Sequence, residues 1–239
     1  MNTDRPSIDW KNYYNREHEI YRFVPEHDPA ETWRVEFVKA LLPSAPLARV
    51  LDAGCGDGYQ CQYLASRYPR VVGCDIALPR LQFARQRSPA IPFFAAELMH
   101  PPLRPQAFDL VTLVEVLEHM PEPLAVLKHL AGLSRRYVLV TVPHKQKPVI
   151  TLCPHCLQSF PLDGHLHEFD EDKLRDLLTQ AGLRVIKIDK FVPPAAWESA
   201  ALIRWLPRAG KEALRRLLQS CGLVARNAAI FLGALCEVP

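Results

Sequence analysis

Residues 50–58 read Val50-Leu51-Asp52-Ala53-Gly54-Cys55-Gly56-Asp57-Gly58, and the fold is decided here. An apolar run from Arg49 to Ala53 ends in three glycines spaced two apart, and a helical pattern begins at residue 59. Glycines at a strand-to-helix turn permit left-handed backbone and let a ligand approach the main chain closely. The next apolar run ends at Asp75, 17 residues past Gly58, where a carboxylate can accept both hydroxyls of a ribose. A dinucleotide site would ordinarily show G-x-G-x-x-G against its pyrophosphate. Here the spacing is G-C-G-D-G with Asp52 just before it. An acid so close to the loop disfavours a diphosphate and suits the ammonium of an amino-acid cofactor.

Outward from this loop, short apolar runs at 49–53, 70–75, 91–95, 108–114 and 136–142 read as buried strands. Helical stretches near 59–67, 77–87 and 121–131 separate them. Such alternation predicts a mostly parallel sheet covered by helices on both faces. Asp170 reads as the N-cap of a helix through Ala181, closed by Gly182, with a strand at 183–189. A last apolar strand spans 228–238. Residues 30–42 put Trp33, Phe37, Val38 and Leu41 on one helical face, whereas 1–30 hold several aromatics without a clean period. One domain over 1–239 is expected, with an N-terminal helical cap at 1–45, a Cys/His-rich insertion at 143–169 and a helical lid insert at 193–225.

Composition is ordinary for a globular protein: 49% hydrophobic, 23% charged, formal net charge +3. That charge does not point to nucleic acid. No apolar run reaches the roughly 20 residues of a membrane span. The polar, acid-containing start is unlike a secretory signal, so a cytoplasmic protein with reduced or metal-bound cysteines is expected. The seven cysteines include Cys153-Pro154-His155-Cys156, followed by His165 and His167. These are ligand types of a structural zinc site: Cys153 and Cys156 with His165 and either His167 or His155. In residues 197–218, Trp197, Leu202, Trp205, Leu206, Leu214, Leu217 and Leu218 recur at helical spacing among five basic side chains. A lid over the pocket, a peripheral membrane surface admitting a lipid-linked acceptor, and a dimer face are the three readings of that segment.

After the fourth strand stand Glu115, Glu118 and His119. On a helix these i, i+3 and i+4 positions share a face, at the carboxyl end of the sheet where α/β ligands bind. Two carboxylates and an imidazole suit Mg²⁺, Mn²⁺ or Fe²⁺. Without a metal, His119 is the candidate general base.

From the glycine loop onward, residues 48–190 resemble the S-adenosylmethionine (SAM)-dependent methyltransferase superfamily, in the branch of the ubiquinone and menaquinone methyltransferases. Phe94-Ala95-Ala96-Glu97-Leu98 resembles that family's adenine-reading strand end, with Glu97 in place of Asp and Ala96 in place of Gly. Pro102-Leu103 and Ala107-Phe108-Asp109-Leu110-Val111 resemble its entry to the fourth strand. The resemblance implies an α/β, Rossmann-like seven-stranded sheet whose last strand runs antiparallel. It implies a SAM site built from Asp52, Gly54, Cys55, Gly56 and Gly58, Asp75 and Ile76, Glu97 and Leu98, and Glu115. Asp52 and the loop would hold the amino-acid end, Asp75 the ribose and Glu97 the adenine. The E-x-x-E-H string is similar to the metal motif of ubiquinone-pathway O-methyltransferases and small-RNA 2′-O-methyltransferases, and on that likeness His167 is the fourth ligand. The expected activity is methyl transfer to an oxygen of a small-molecule or lipid- or carbohydrate-linked metabolite. RNA 2′-O-methylation and a non-catalytic SAM-binding module are the alternatives.

Overall fold

The structure, a computed structural model, describes residues 9–20, 29–193 and 229–239, with Pro207, Gly210, Ala213, Leu214 and Leu217 besides. The expected insert at 193–225 therefore lies almost wholly outside the described residues.

Seven strands form one sheet. They are β1 (Arg49–Ala53), β2 (Arg70–Asp75), β3 (Phe93–Ala95), β4 (Phe108–Val114), β5 (Ser134–Pro143), β8 (Arg184–Phe191) and β9 (Phe231–Glu237). Two further short strands, β6 (Ile150–Leu152) and β7 (Ser159–Pro161), pair as a separate antiparallel hairpin. The sheet order is β3-β2-β1-β4-β5-β9-β8. All pairs among β1 to β5 are parallel, and β9 runs antiparallel to both its neighbours. The chain starts in the middle at β1 and winds first to one side, then to the other. The crevice between β1 and β4 is thus the switch point where such sheets bind ligands.

Side chains alternate across the strands and feed two cores. Val50, Leu110, Leu139 and Leu235 face one core, with helices α2 (Pro29–Leu41), α3 (Tyr59–Arg67) and α4 (Leu78–Arg87) over them. Leu51, Val111, Val138, Val140 and Ala234 face the other, under α5 (Pro123–Leu133) and α6 (Glu171–Gln180). Both faces are covered, as the near-continuous apolar runs of the strands require. Helix α2 lies close across β9 at Gly233, where a Cβ would stand 2.6 Å from Leu41 Cδ1 and 2.9 Å from Phe37 Cε1. Asp170 caps α6 by accepting the N–H of Lys173 at 2.9 Å, and Gly182 (φ 81°) ends the helix in the left-handed region.

Two segments without a sequence period are ordered. Helix α1 (Trp10–Ile20) sits on α4 through polar contacts: Asn15 Oδ1 accepts the N–H of Leu78 at 3.0 Å, and Glu17 pairs with Arg80 at 2.7 Å. The Cys/His-rich stretch forms the β6–β7 hairpin. Among the described residues no helix is long and apolar enough to cross a membrane.

Candidate active site

A cavity of about 460 Å³ opens at the carboxyl ends of β1, β2 and β4, a size typical of small-molecule sites. Its floor is the glycine loop. The N–H groups of Gly54 and Cys55 both donate to Cys74 O, at 2.8 and 2.9 Å, folding the loop onto the end of β2. Gly54 has φ 76°, and a Cβ there would stand 2.5 Å from Val116 Cγ2. Any side chain at 54 would push against a cavity wall, so glycine is required on both counts.

Asp75 closes β2. Its Oδ2 accepts the N–H of Gly56 and its Oδ1 that of Ala77, each at 2.8 Å. Burial pushes its carboxyl above the ordinary value against those two bonds. Each oxygen keeps a lone pair for a further donor. Ile76, Glu97, Leu98 and Glu115 line the same cavity.

Three expected cofactor residues stand elsewhere. Asp52 is buried and turned into the sheet. Its Oδ1 accepts the Thr112 hydroxyl at 2.7 Å and its Oδ2 the Cys61 thiol at 3.2 Å. Burial raises its pKa to about 6, and the hydrogen bonds from Thr112 and Cys61 oppose that rise only in part. It supports the loop from beneath rather than facing the cavity. Cys55 is buried too, and Gly58 (φ 78°) precedes α3 with Ala84 and Phe93 close by. Both shape the turn without lining the cavity.

The E-x-x-E-H string does not form the expected α-helix. Glu115 takes φ 53°, and only Leu117–His119 coil, as a single 3₁₀ turn. Glu115 consequently swings to Thr141, whose hydroxyl donates to Oε1 at 2.8 Å. Burial raises its carboxyl, and the Arg34 guanidinium of α2 acts the other way. Glu118 and His119 turn together toward a third residue, His165. Glu118 Oε1 lies 3.7 Å from His119 Nε2 and 4.0 Å from His165 Nε2. The two imidazole rings meet edge-on, with centroids 4.7 Å apart.

Glu118 is buried, and neither of its carboxylate oxygens has a hydrogen-bond partner. Burial first, then the charge of Glu115, raises its carboxyl well above the usual range. His119 is held down at about 4 by burial and then by the neighbouring His165, so its ring is neutral at physiological pH. Among the described residues, Glu118, His119 and His165 are the one group of three or more metal-binding side chains with ligand atoms within 4.8 Å of one another.

This corrects two expectations. His167 is not the residue that joins the cluster, because its Nε2 bonds the Met120 carbonyl at 2.8 Å. Nor do Cys153, Cys156, His165 and His167 gather as one in-chain zinc set, since both histidines are engaged at the 3₁₀ turn while the cysteines sit at the tip of the β6–β7 hairpin. The sequence reading also missed the cavity's outer wall. Tyr14 and Glu17 of α1, Arg80 of α4, Glu122 and Asp163 all line it, and the Tyr14 ring stands edge-on to His119 at 5.9 Å. The aromatic cluster at Tyr13 and Tyr14 was the available signal.

The profile of a family described as a methyltransferase domain matches residues 22–188, most of the chain. The chain belongs to the class I SAM-dependent methyltransferases. A "probable S-adenosylmethionine-dependent methyltransferase" of Mycobacterium tuberculosis is 26% identical over 180 residues, covering 74% of this chain. The chain spans 58% of the length of that relative. A ubiquinone biosynthesis O-methyltransferase of Xanthomonas campestris is 34% identical over 113 residues, 43% of this methyltransferase and 44% of that one. Among solved structures, the 1,6-didemethyltoxoflavin-N1-methyltransferase of Burkholderia thailandensis superposes with TM-score 0.64 at 18% identity, over 99% of this chain and 93% of its own. A SAM-dependent methyltransferase of Mesorhizobium loti gives TM-score 0.61 at 17% identity, over 90% and 100%. At these identities the structural matches speak for the shared seven-stranded fold.

Proposed function

We propose that this methyltransferase transfers a methyl group from SAM to an oxygen of a small-molecule or lipid-linked metabolite, assisted by a divalent ion held by Glu118, His119 and His165. The observation that carries this reading is the buried Glu118 carboxylate without hydrogen-bond partners, faced by two imidazoles beside the cofactor cavity. A buried carboxylate left so is costly unless a proton or a cation completes it.

SAM fits the cavity by size, by the glycine floor and by the acids at its rim, and it supplies a methyl on a good sulfonium leaving group. The chain has then to bind, align, exclude water and remove one proton. Asp75 would accept the ribose hydroxyls through its remaining lone pairs, and Glu97 would accept the adenine amino group. The loop backbone at Gly54 and Gly56 would hold the amino-acid end, with Asp52 underpinning the loop. Tyr14 and Glu17 would close the outer wall against water.

Two imidazoles and one carboxylate form a set suited to Mn²⁺ or Fe²⁺, and to Mg²⁺ with added water or carboxylate ligands. An ion there would supply Lewis acidity toward the acceptor hydroxyl. His119 as a metal-free general base is the weaker reading, because a ring held at about 4 takes up a proton poorly at neutral pH. Carboxylates of Glu17, Glu97, Glu115, Glu122 and Asp163 around the cavity disfavour a polyanionic acceptor such as RNA.

The test uses Mn²⁺ and SAM binding alongside turnover. Wild type should bind Mn²⁺ by calorimetry and Glu118→Gln should not, with SAM affinity equal in both. Extract from a strain lacking the gene, supplied with labelled SAM, should gain an O-methylated product that vanishes with chelator and returns with Mg²⁺ or Mn²⁺. Chelator-insensitive transfer would remove the ion from the mechanism, and product label on nitrogen or carbon would remove the oxygen acceptor.

A further inference from the structure

The β6–β7 hairpin takes no part in the cavity, yet five of the nine large hydrophobic side chains exposed among the described residues belong to it and its flanks. They are Val149, Ile150, Leu152, Leu157 and Leu162. Ile150 and Leu152 lie two apart on one strand and so share a face of the ribbon. Two three-residue strands with such a face left open bury too little to hold a hairpin by themselves.

At its tip stands Cys153-Pro154-His155-Cys156. The N–H of Leu157 donates to Cys153 O and that of Cys153 to Gln158 O, each at 2.9 Å. Leu157 adopts φ 55° to make this turn. A leucine in the left-handed region costs on the order of 1 kcal/mol or more. The turn, closed by these two backbone bonds, holds Cys153 and Cys156 three residues apart within one tight loop. Cys156 is exposed and Cys153 partly so.

Two thiols at this spacing make half of a tetrahedral zinc site. Of the nearby histidines, His165 is engaged with Glu118 and His167 with the Met120 carbonyl, and His155 inside the turn would give one chain three ligands, one short of a closed set. The other described cysteines, Cys55, Cys61, Cys74 and Cys236, are buried. A second copy of the chain offers an identical pair, and a two-fold axis through the ion would close the ligand set without any other protein.

We propose that Cys153 and Cys156 of two copies of this chain hold one Zn²⁺ between them, and that Ile150, Leu152 and Leu157 of each hairpin cover one another around it. Each thiol gives its proton to solvent on binding, and four thiolates close the coordination shell, which makes the ion structural. The hairpin is then an interface that needs zinc to form.

The test is oligomeric state against zinc, on the full chain. Light scattering should give a dimer with Zn²⁺, a monomer after chelation, and a monomer for Cys153→Ser/Cys156→Ser at any zinc level. Elemental analysis should find one more zinc per two chains in wild type than in the double variant. Co²⁺ in place of zinc should show the thiolate charge-transfer absorption of four sulfurs. Calorimetry should give the same SAM affinity in wild type and double variant, which establishes that the variant is folded. Glu118→Gln should keep the zinc-dependent dimer, so the cavity ion and this one succeed or fail separately. A zinc-loaded monomer, one cysteine-dependent zinc per chain, or a dimer that survives loss of both cysteines would each overturn the proposal.

Discussion

Asp52 and Asp75 lie near the ends of neighbouring strands, and their partners give them opposite tasks. Asp52 spends its carboxylate on Thr112 and Cys61 inside the sheet, whereas Asp75 presents its own at the cavity rim. A carboxyl whose pKa is higher in the folded state than in the unfolded one binds its proton more tightly when folded. Ionised Asp52 therefore opposes folding above about pH 6, by roughly 3 kcal/mol at neutral pH. The penalty fades as pH falls from about 6 toward 4. Asp52→Asn keeps the acceptor for Thr112, so urea denaturation should find it more stable than wild type at pH 8 by about 1–3 kcal/mol, with the gap closing by pH 4. Its SAM affinity should be unchanged. Asp75→Ala should instead weaken SAM binding by about 1.5–3 kcal/mol in calorimetry. Equal losses of affinity in the two variants would return Asp52 to the cofactor's own contacts.

Elements were legible where the pattern that builds them is local. The helix at 59–67 and the strands at 70–75 and 108–114 carry their own periodicity and bounding residues, and the structure has them at those residues. Helix α1 shows no apolar stripe because Asn15 and Glu17 fix it to α4 by polar contacts. The β6–β7 strands are too short and too exposed to alternate visibly. One long-range device between elements was hidden in a stretch quoted for its family likeness. Asp109, at the start of β4, accepts the N–H groups of Ala48 and Arg49 at 2.8 and 2.9 Å and so pins the start of β1 beside it. Partial burial raises its carboxyl, but those N–H groups and Arg135 outweigh it and hold the pKa below the usual value. Such a group stabilises the fold above the unfolded value near pH 4, and the effect is lost as pH falls through the folded value. Asp109→Ala should cost about 1–3 kcal/mol at pH 7. In denaturation curves the gap between Asp109→Asn and wild type should narrow below pH 3, and a pH-independent gap would show that the carboxylate charge is not what holds β1.

Across the whole molecule, the site draws on α1, the glycine loop, the end of β2, the 3₁₀ turn after β4 and a returning loop segment that carries His165, 46 residues beyond His119. That return explains why the sequence named the wrong histidine. In a straight extended run His165 and His167 would point the same way, and neither spacing nor residue type distinguishes them. The chain is not straight there. Gly164 takes φ 69°, and the N–H groups of Leu166 and His167 both donate to Glu118 O, at 2.8 and 3.3 Å. The segment is held further by Lys145 N–H to Phe169 O at 2.7 Å and by the buried Phe169 ring. Wrapped on the 3₁₀ turn in this way, it sends His165 to the Glu118 carboxylate and His167 to the Met120 carbonyl. The two alanine variants should therefore behave differently. His165→Ala should lower turnover by on the order of a hundredfold, as loss of a metal ligand does, with SAM affinity unchanged and Mn²⁺ binding weakened by calorimetry. His167→Ala removes one hydrogen bond that fixes the turn, so it should cost about 1–2 kcal/mol in urea denaturation. It should leave Mn²⁺ bound and turnover within the same order of magnitude at saturating metal. If His167→Ala abolished Mn²⁺ binding and His165→Ala did not, the returning segment would have to shift by two residues, and the cluster described for Glu118 would be the wrong one.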